Sequence, residues 1–138
     1  MGTLRQVFSG LITLVALVLA LAVTSTSAQQ APAPLKTATK EGLGTFLVDA
    51  NGMTLYLFTN DTKSGKSTCS GGCARAWPPY APKAGDPKPA APLSTITRDD
   101  GSEQYTYDGK PLYYFSKDKK PGDATGQGAG EKWWVVKP

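Results

Sequence analysis

The sequence predicts a small all-β fold, an antiparallel sandwich or partly open barrel built from two tandem β-meander repeats with pseudo-two-fold symmetry. The first observation is a Tyr-x-Phe-x-x-Asp motif that begins at Tyr56 and recurs at Tyr113. The second is a pair of hairpin signals, Asn51-Gly52 and Asp108-Gly109, one shortly before each motif. The third is the alternating, Thr-rich pattern of the segments before these turns.

The amino-terminal segment, residues 1–28, has the pattern of a secretory signal peptide. Arg5 supplies the positive n-region, Leu11 to Val23 is about as long as an apolar h-region, and Thr26-Ser27-Ala28 offers a small-residue cleavage site. The apolar run is shorter than the roughly 20 residues that cross a bilayer. We therefore expect cleavage after Ala28 and a periplasmic or secreted chain that is not transmembrane.

The mature chain divides into a short leader and one domain. Residues 29–34 contain only Gln, Ala and Pro and are expected to be a flexible leader. The chain that remains after the signal suffices for one domain with a modest core, so the repeats must pack on each other. We assign this domain to residues 35–138, with repeat one at 35–80, a Pro-rich crossover at 81–92 and repeat two at 93–138.

Each repeat begins with two predicted strands. Leu35 to Glu41 matches Leu93 to Asp99, and a second strand is predicted at Thr45 to Asp49 and at Glu103 to Tyr107. The first strands of the two repeats are one position further apart in the sequence than the two motifs are. We therefore predict that one residue was gained or lost in one repeat before Gly44. The turns that follow predict type I′ hairpins, in which both central residues have positive φ.

Each turn leads into the strand that carries the motif. Leu55 and Leu57 point to one face of this strand and Tyr56 and Phe58 to the other, and Leu112 to Phe115 alternates in the same way. Apolar side chains on both faces indicate central strands where the two repeats meet. After each motif a Gly-rich loop leads to tryptophan. In repeat one a single helical turn precedes Trp77, and in repeat two Trp133 to Val136 form a last strand.

Three blocks of the sequence form a specific pattern: G-x-T-L-Y-L-F-x-x-D from Gly52 to Asp61, C-x3-C-x3-W-P-P from Cys69 to Pro79, and G-K-P-L-Y-Y-F-x-x-D from Gly109 to Asp118. In these blocks the sequence resembles the bacterial "secreted repeat of unknown function" family, predicted lipoproteins with a Tyr-x-aromatic-x-x-Asp motif. The resemblance covers nearly all of the mature chain and implies an extracytoplasmic repeat module without a known activity. No cysteine lies at the expected cleavage site, so lipid anchoring is not expected.

Asp61 and Asp118 close the two motifs where the chain must turn. A carboxylate there can accept backbone N–H groups of the following loop, as in Asx-turns. A hard-cation site formed with Asp123 is an alternative, but the loops lack the dense acidic spacing of calcium sites. Acid–base catalysis is a weaker alternative, since the chain has no histidine, the commonest general base and metal ligand.

The aromatic residues admit two interpretations. Most recur at equivalent positions in both repeats, which favours core packing, whereas a stacking surface for a sugar, quinone or peptide is the alternative. Trp133 and Tyr114 replace Ala76 and Leu57 of the other repeat, so we predict them to be exposed, ligand-facing rings. The predicted structural residues of the motifs are Tyr56, Phe58, Asp61, Tyr113, Phe115, Asp118, Trp77 and Trp134.

Cys69 and Cys73 are the only cysteines of an exported chain, so we expect a disulfide between them. The alternative is periplasmic copper or thiol-redox handling, because C-x3-C is also the spacing of Sco-type copper chaperones. Those proteins also use a histidine, and Met53 is the only mature-chain thioether that can replace it. No cofactor is expected.

These observations predict an exported, non-enzymatic module that binds a partner or is a structural component of the cell envelope. Arg5 is the only charged residue of the signal, so its removal lowers the formal net charge from +4 to +3. The lysines and acids of the mature chain are interspersed, which argues against nucleic acid as a partner. An envelope component or a small ligand fits the sequence, which leaves the ligand and the oligomeric state open.

Overall fold

The structure, a computed structural model, describes residues 34–138. The predicted signal peptide and most of the predicted leader lie outside the described residues. In the part of the chain that is described, no helix is both long and apolar enough to cross a membrane.

Within residues 34–138, seven short strands in antiparallel pairs and two short helices make up the domain, which confirms the predicted all-β class. These strands form two two-stranded sheets and one three-stranded sheet, and they do not close into a barrel. The elements are β1 (Leu35–Lys40), β2 (Gly44–Asp49), β3 (Tyr56–Phe58), α1 (Gly72–Ala76), β4 (Leu93–Thr97), β5 (Glu103–Tyr107), β6 (Lys110–Pro111), a 3-10 helix (Ala129–Glu131) and β7 (Trp133–Val135).

Both repeats open with the same hairpin. β1 pairs with β2 from Leu35 opposite Asp49, and β4 pairs with β5 from Leu93 opposite Tyr107. The two registers therefore coincide position by position along the hairpin. β5 has the predicted bounds and β2 begins one position earlier than predicted, at Gly44. Thr and aromatic residues favour a strand in both copies.

The turns after these hairpins differ in length. In repeat two, Asp108 and Gly109 both have positive φ, 49° and 77°, as a type I′ turn requires. In the corresponding turn of repeat one, only Gly52 has positive φ, at 86°. The loop there is one position longer, since the Asp49 N–H donates to the Met53 carbonyl over 2.9 Å.

The Asp49 side chain explains the wider loop of repeat one. Its Oδ1 accepts the N–H groups of Asn51 and Met53 at 2.8 and 2.9 Å, whereas Tyr107 at the corresponding position has no carboxylate. The prediction of a type I′ turn in repeat one is therefore wrong. The predicted shift before Gly44 is also wrong, because the extra residue lies in this turn.

Three chain segments meet in each half of the domain through a closed ring of backbone hydrogen bonds. In the first ring, the Leu47 N–H donates to Val136 O, the Val136 N–H to Leu55 O and the Leu55 N–H to Leu47 O, at 2.8 to 3.1 Å. The second ring has the same order and distances of 2.8 to 3.0 Å. Its members are Tyr105, Tyr80 and Leu112.

One member of each ring comes from the opposite repeat. Val136 follows β7 at the end of repeat two and completes the ring of repeat one, while Tyr80 ends repeat one and completes the ring of repeat two. β7 likewise pairs with β3, with Trp134 opposite Leu57. Each repeat thus supplies a segment that the other needs to satisfy its backbone N–H and C=O groups.

The two motifs meet at the centre of the domain. Tyr56 and Tyr113 exchange backbone hydrogen bonds of 2.8 and 3.0 Å, and both side chains are fully buried. Only the first motif lies in a regular strand, because Tyr113 forms isolated bridges with Tyr56 and Pro79. The predicted second motif strand is therefore wrong. Pro78 and Pro79 face it without N–H groups, so the ladder cannot extend.

Two apolar clusters lie on the two faces of β2, since successive side chains of a strand alternate. We call the one at the motifs the aromatic cluster and the other the second cluster. The aromatic cluster contains Phe46, Val48, Tyr56, Cys69, Trp77, Tyr113, Trp133 and Val135. The second cluster contains Leu47, Leu55, Tyr80, Leu93, Tyr105, Leu112 and Val136.

Candidate functional site at the repeat interface

The polar residues of the two motifs bind each other across the repeat interface. Tyr56 Oη donates to Asp118 Oδ2 and Tyr113 Oη donates to Asp61 Oδ2, both over 2.6 Å. Each tyrosine therefore binds the aspartate of the other repeat and not that of its own motif. We call these contacts the two Tyr–Asp pairs. Because each copy supplies one donor and one acceptor, the exchange requires both residue types in both repeats.

The second oxygen of each carboxylate closes the loop after its motif. Asp61 Oδ1 accepts the N–H and the hydroxyl of Thr68 at 2.7 and 2.6 Å. Asp118 Oδ1 accepts the same two groups of Thr125 at 2.9 and 2.5 Å. Each aspartate thus accepts three hydrogen bonds, one from the opposite repeat and two from its own loop.

The two pairs differ in the group that donates a hydrogen bond to the tyrosine hydroxyl. Tyr113 Oη lies 2.7 Å from Ser67 Oγ, and because its single proton is donated to Asp61, Ser67 is the donor. Ser67 Oγ in turn accepts Arg98 Nη1 at 2.8 Å. A chain of hydrogen bonds therefore joins the Arg98 guanidinium to the Asp61 carboxylate through two hydroxyls. In the other pair, Tyr56 accepts a backbone N–H at 3.2 Å.

Arg98 is a buried cation whose direct partners are all uncharged. It is 9% exposed and also donates to Gln104 Oε1 at 2.7 Å and to the Cys69 carbonyl at 2.6 Å. Its Nε is buried without an acceptor among residues 34–138. Burial of an unpaired charge costs free energy, so we infer that the hydrogen-bonded link through two hydroxyls to the Asp61 carboxylate compensates the positive charge of Arg98.

Burial and the carboxylates raise the pKa of both motif tyrosines. Burial is the larger cause for Tyr113 and the Asp61 hydrogen bond the next, and together they raise its pKa to about 12. Burial and then the Asp118 hydrogen bond raise the pKa of Tyr56 well above its ordinary value. Both phenols therefore stay protonated at neutral pH, and neither supplies a free base or nucleophile.

Four aromatic rings form a continuous stack beside the Tyr–Asp pairs, which we call the ring stack. Trp77 and Trp133 lie at its centre, with ring centroids 3.9 Å apart and planes 2° apart. Phe115 stacks on Trp77 at 4.1 Å and Phe58 stacks on Trp133 at 4.2 Å. Each phenylalanine thus packs on the tryptophan of the opposite repeat, just as each tyrosine binds the aspartate of the opposite repeat.

The motif tyrosines meet the ring stack edge-on. Tyr56 contacts Trp77 with centroids 5.3 Å apart and Tyr113 contacts Trp133 with centroids 5.1 Å apart, both in T-shaped geometry. Gly126 passes so close that a Cβ there would lie 2.6 Å from the Trp77 ring. The site therefore requires a glycine at this point of the loop.

Trp133, and not Trp134, is the repeat-two counterpart of Trp77. Trp133 is 6% exposed, so the prediction of a ligand-facing ring there is wrong. Trp134, the predicted anchor, is 41% exposed, the one large apolar side chain exposed to this degree within residues 34–138. The path from Thr125 to Trp133 is one position shorter than that from Thr68 to Trp77, and a shift by one position reverses the faces of a strand.

Tyr114 lies in the wall of an open cleft of about 450 Å³. Its side chain is half-buried, and its hydroxyl donates to Asp49 Oδ2 at 2.8 Å. Burial and then this hydrogen bond raise its pKa above the ordinary value. Met53, Lys83 and Phe115 also line the cleft, and the ligand-facing role of Tyr114 stays a prediction.

Cys69 and Cys73 form a disulfide, which confirms the predicted bond. Both sulfur atoms are thereby engaged, so the copper and thiol-redox alternative is not supported. Asp123, the third residue of the cation alternative, pairs with Lys120 at 2.7 Å and accepts the Lys119 N–H. Residues 34–138 contain no group of three His, Cys, Asp or Glu side chains that could hold a metal ion.

Sequence reasoning missed several members of the site. Thr68 and Thr125 follow Asp61 and Asp118 at the same spacing, so their repetition was an available signal for a shared role. Arg98 and Ser67 left no such signal, because the repeat-one counterpart of Arg98 is the exposed Lys40. Only the packed structure brings these two side chains to the Tyr113 hydroxyl.

A family model described as "secreted repeat of unknown function" matches residues 37–81 and 94–137, which correspond to the two repeats. This match confirms the resemblance predicted from the sequence. No curated protein and no solved structure matches the chain.

Proposed function

Because the chain belongs to the secreted-repeat family of unknown function, we propose that it is an exported, non-enzymatic module that acts in the cell envelope by binding or as a structural component. The observation that carries this proposal is the reciprocal exchange in the two Tyr–Asp pairs. The side chains best suited to proton chemistry are used to join the two halves of the domain.

The burial of these groups favours a structural role over a catalytic one. Asp118 is 7% exposed, and Tyr56 and Tyr113 are fully buried. A general base must lie within hydrogen-bonding reach of a substrate proton. Here each carboxylate already accepts three internal hydrogen bonds, so a substrate would have to displace the contacts that hold the repeats together.

The exposed surface supports a binding role. The Trp134 ring is exposed on β7 beside Leu57, its half-buried partner on β3. Exposed aromatic rings are frequent anchors of protein interfaces. The net charge of +3 expected after signal removal adds attraction to anionic polymers of the envelope.

Sedimentation with fractionated envelopes tests the proposal. Mature protein is mixed with isolated peptidoglycan or with membrane vesicles of the producing bacterium, and the bound fraction is measured against protein and salt concentration. We expect saturable binding to one fraction, weakened in Trp134→Ser. Tyr107→Ser, a half-buried ring in the β4–β5 hairpin, is the matched control and should bind as the wild type does.

Two outcomes contradict the proposal. Absence of saturable binding to every fraction removes the envelope role. Release of soluble products from either fraction by the wild type, but not by Asp61→Asn, would show an enzyme. Melting temperatures of all variants are measured in parallel, so that a loss of folding is not counted as a loss of binding.

A second candidate function is binding of a small planar ligand in the cleft beside Tyr114. The cleft holds about 450 Å³, within the roughly 300 to 1,000 Å³ of small-molecule sites, and combines aromatic walls with the Lys83 side chain. NMR titration with simple sugars and with a soluble quinone tests this. Shifts confined to the cleft and lost in Tyr114→Ala support it, and unchanged spectra at all concentrations exclude both ligand classes.

A further inference from the structure

The ring stack places two tryptophans in contact with two phenols whose protons already bind carboxylates. From this geometry we propose that the domain is a redox-active centre, in which a strong one-electron oxidant removes an electron through the tryptophans and leaves a tyrosyl radical at Tyr56 or Tyr113. The inference is independent of the envelope role and involves no turnover of a substrate.

The Trp77–Trp133 contact is the part of the domain best suited to carry an electron vacancy. Tryptophan and tyrosine are the most readily oxidised side chains after the cysteine thiol, and residues 34–138 contain no free thiol. The two indoles are parallel and 3.9 Å apart, so their π systems overlap and a vacancy can be shared between the rings. Phe115 and Phe58 cover the outer faces at 4.1 and 4.2 Å and keep water away.

The Tyr–Asp pairs provide the proton acceptors that tyrosine oxidation requires. A phenol loses its proton together with its electron, because the cation that would otherwise form is a very strong acid. Tyr56 Oη lies 2.6 Å from Asp118 Oδ2, so the proton moves along a hydrogen bond that is already present. Tyr113 and Asp61 have the same geometry in the second pair, also at 2.6 Å.

The overall step is balanced in electrons and protons. The oxidant gains one electron. Tyr56 loses one electron and the proton of its hydroxyl, and Asp118 gains that proton. The products are the reduced oxidant, a neutral tyrosyl radical and a neutral carboxylic acid, so the first pair is left without a buried charge. Electrons and protons balance in the same way in the second pair. Protonation of Asp61 there removes the carboxylate that compensates the charge of Arg98, which makes oxidation of the second pair less favourable.

Trp134 is the entry point for a soluble oxidant. Its ring is 41% exposed and it directly follows Trp133 on β7, whereas Trp77 and Trp133 are 7% and 6% exposed. An oxidant in solution therefore meets Trp134 first. The vacancy then passes inward to the stacked indoles and settles on a phenol that is shielded from solvent.

Photochemical oxidation followed by electron paramagnetic resonance tests the proposal. The mature protein is illuminated with tris(bipyridine)ruthenium(II) and persulfate at neutral pH and frozen. We expect a tyrosyl signal in the wild type, and its loss with appearance of a tryptophan signal in the double variant Tyr56→Phe, Tyr113→Phe. The double variant Tyr80→Phe, Tyr105→Phe is the matched control and should keep the tyrosyl signal.

The control removes the same number of buried phenols from the second cluster. Tyr105 also donates to a carboxylate, that of Asp86 at 3.0 Å, and its aromatic contact is with Tyr80 and not with a tryptophan. Retention of the tyrosyl signal in the Tyr56, Tyr113 variant overturns the proposal. Equal loss in both variants also overturns it, because contact with the ring stack would then be irrelevant.

The variants Asp61→Asn and Asp118→Asn separate radical chemistry from folding. An amide keeps one acceptor oxygen for the phenol but is a very weak proton acceptor. Its NH2 group replaces the carboxylate oxygen that accepts from the threonine, so each Asn variant is illuminated well below its own melting temperature. We expect slower formation of the tyrosyl radical in variants whose circular dichroism spectrum shows that they are folded. An unchanged rate in the double Asn variant refutes proton transfer to the carboxylates. A yield unaffected by Trp134→Phe refutes the assigned entry point.

Discussion

The Asp118→Ala substitution removes the acceptor of three hydrogen bonds at once. Tyr56 Oη and the Thr125 N–H lose their partner, while the Thr125 hydroxyl can turn toward solvent. Water reaches the Tyr56 hydroxyl poorly, because Asp118 is 7% exposed and Tyr56 is fully buried. The hydrogen bonds of Thr125 to Asp118 are partly buried. At roughly 1 to 3 kcal/mol for each unsatisfied buried group, we expect the free energy of unfolding to fall by about 3 kcal/mol.

The symmetric substitution Asp61→Ala should cost less. Asp61 is half-buried and its hydrogen bonds with Thr68 are exposed, whereas those of Asp118 with Thr125 are partly buried, so water can replace the lost carboxylate at the first loop. Tyr113 Oη also keeps its hydrogen bond with Ser67. We expect a loss of about 1 to 2 kcal/mol, nearer the net value of one hydrogen bond to a charged group.

Double-mutant cycles then identify which aspartate each tyrosine binds. Tyr56→Phe combined with Asp118→Ala should show a coupling energy of about 1.5 to 3 kcal/mol, the range for a hydrogen bond to a charged group. Tyr56→Phe combined with Asp61→Ala, the pair within one motif, should show a coupling near zero. This second cycle is the matched control, since it changes the same residue types.

Urea denaturation followed by tryptophan fluorescence measures each free energy, because Trp77 and Trp133 lie buried in the aromatic cluster. A loss of about 3 kcal/mol should also lower the melting temperature by about 12 to 24 °C. A larger coupling within a motif than across the repeats would refute the exchange. If EDTA destabilises the wild type but not the Asp variants, the carboxylates hold a metal ion and the hydrogen-bond account fails.

Residues 35–80 and 93–138 expressed separately should each be unfolded, because each repeat lacks the third segment of its hydrogen-bonded ring. Mixing the two halves should restore a dispersed NMR spectrum. A dispersed spectrum from either half alone would refute the mutual dependence of the repeats. Stability should hold up to about pH 10, where unfolded tyrosines ionise. The free energy of unfolding should then fall toward pH 12, because the pKa of Tyr113 is raised to about 12 and the folded chain keeps a proton that the unfolded chain has lost. Urea denaturation of Tyr113→Phe should show a weaker decline between these pH values. An equal decline in the variant and the wild type would contradict this prediction. Reducing the Cys69–Cys73 disulfide, with a sequence separation of 4, should lower the free energy of unfolding by no more than about 2 kcal/mol. Two free thiols, detected by alkylation and mass spectrometry in the exported protein, would contradict the bond.

Local chemistry predicted most of the strands. Strand β5 was predicted with its observed bounds, Glu103–Tyr107, because strand alternation and the following Asp-Gly turn act over a short stretch of chain. The disulfide was equally local, since two cysteines four positions apart in an exported chain have no other partner. Duplication of the motif also showed that the two halves share one architecture.

The predictions of the second motif strand and of the first turn were wrong for two different reasons, one outside the segment and one within it. Tyr113 faces Pro78 and Pro79, and whether a strand extends depends on the donors of its neighbour, which the segment does not contain. The turn at Asn51 is widened by the Asp49 carboxylate, a side-chain contact that competes with the backbone preference.

The sequence by itself determined the residue types of the site, and the tertiary structure alone decided how they pair. The duplicated Tyr, Phe and Asp residues have equivalent local surroundings, so nothing near Tyr56 distinguishes Asp61 from Asp118 as its acceptor. The choice is made by packing, because the last segment of each repeat completes the other and carries Trp77 and Trp133 into one stack. The buried Arg98 follows the same rule: its partners Ser67 and Cys69 lie in repeat one, far along the chain, and only the closed fold brings them within hydrogen-bonding distance.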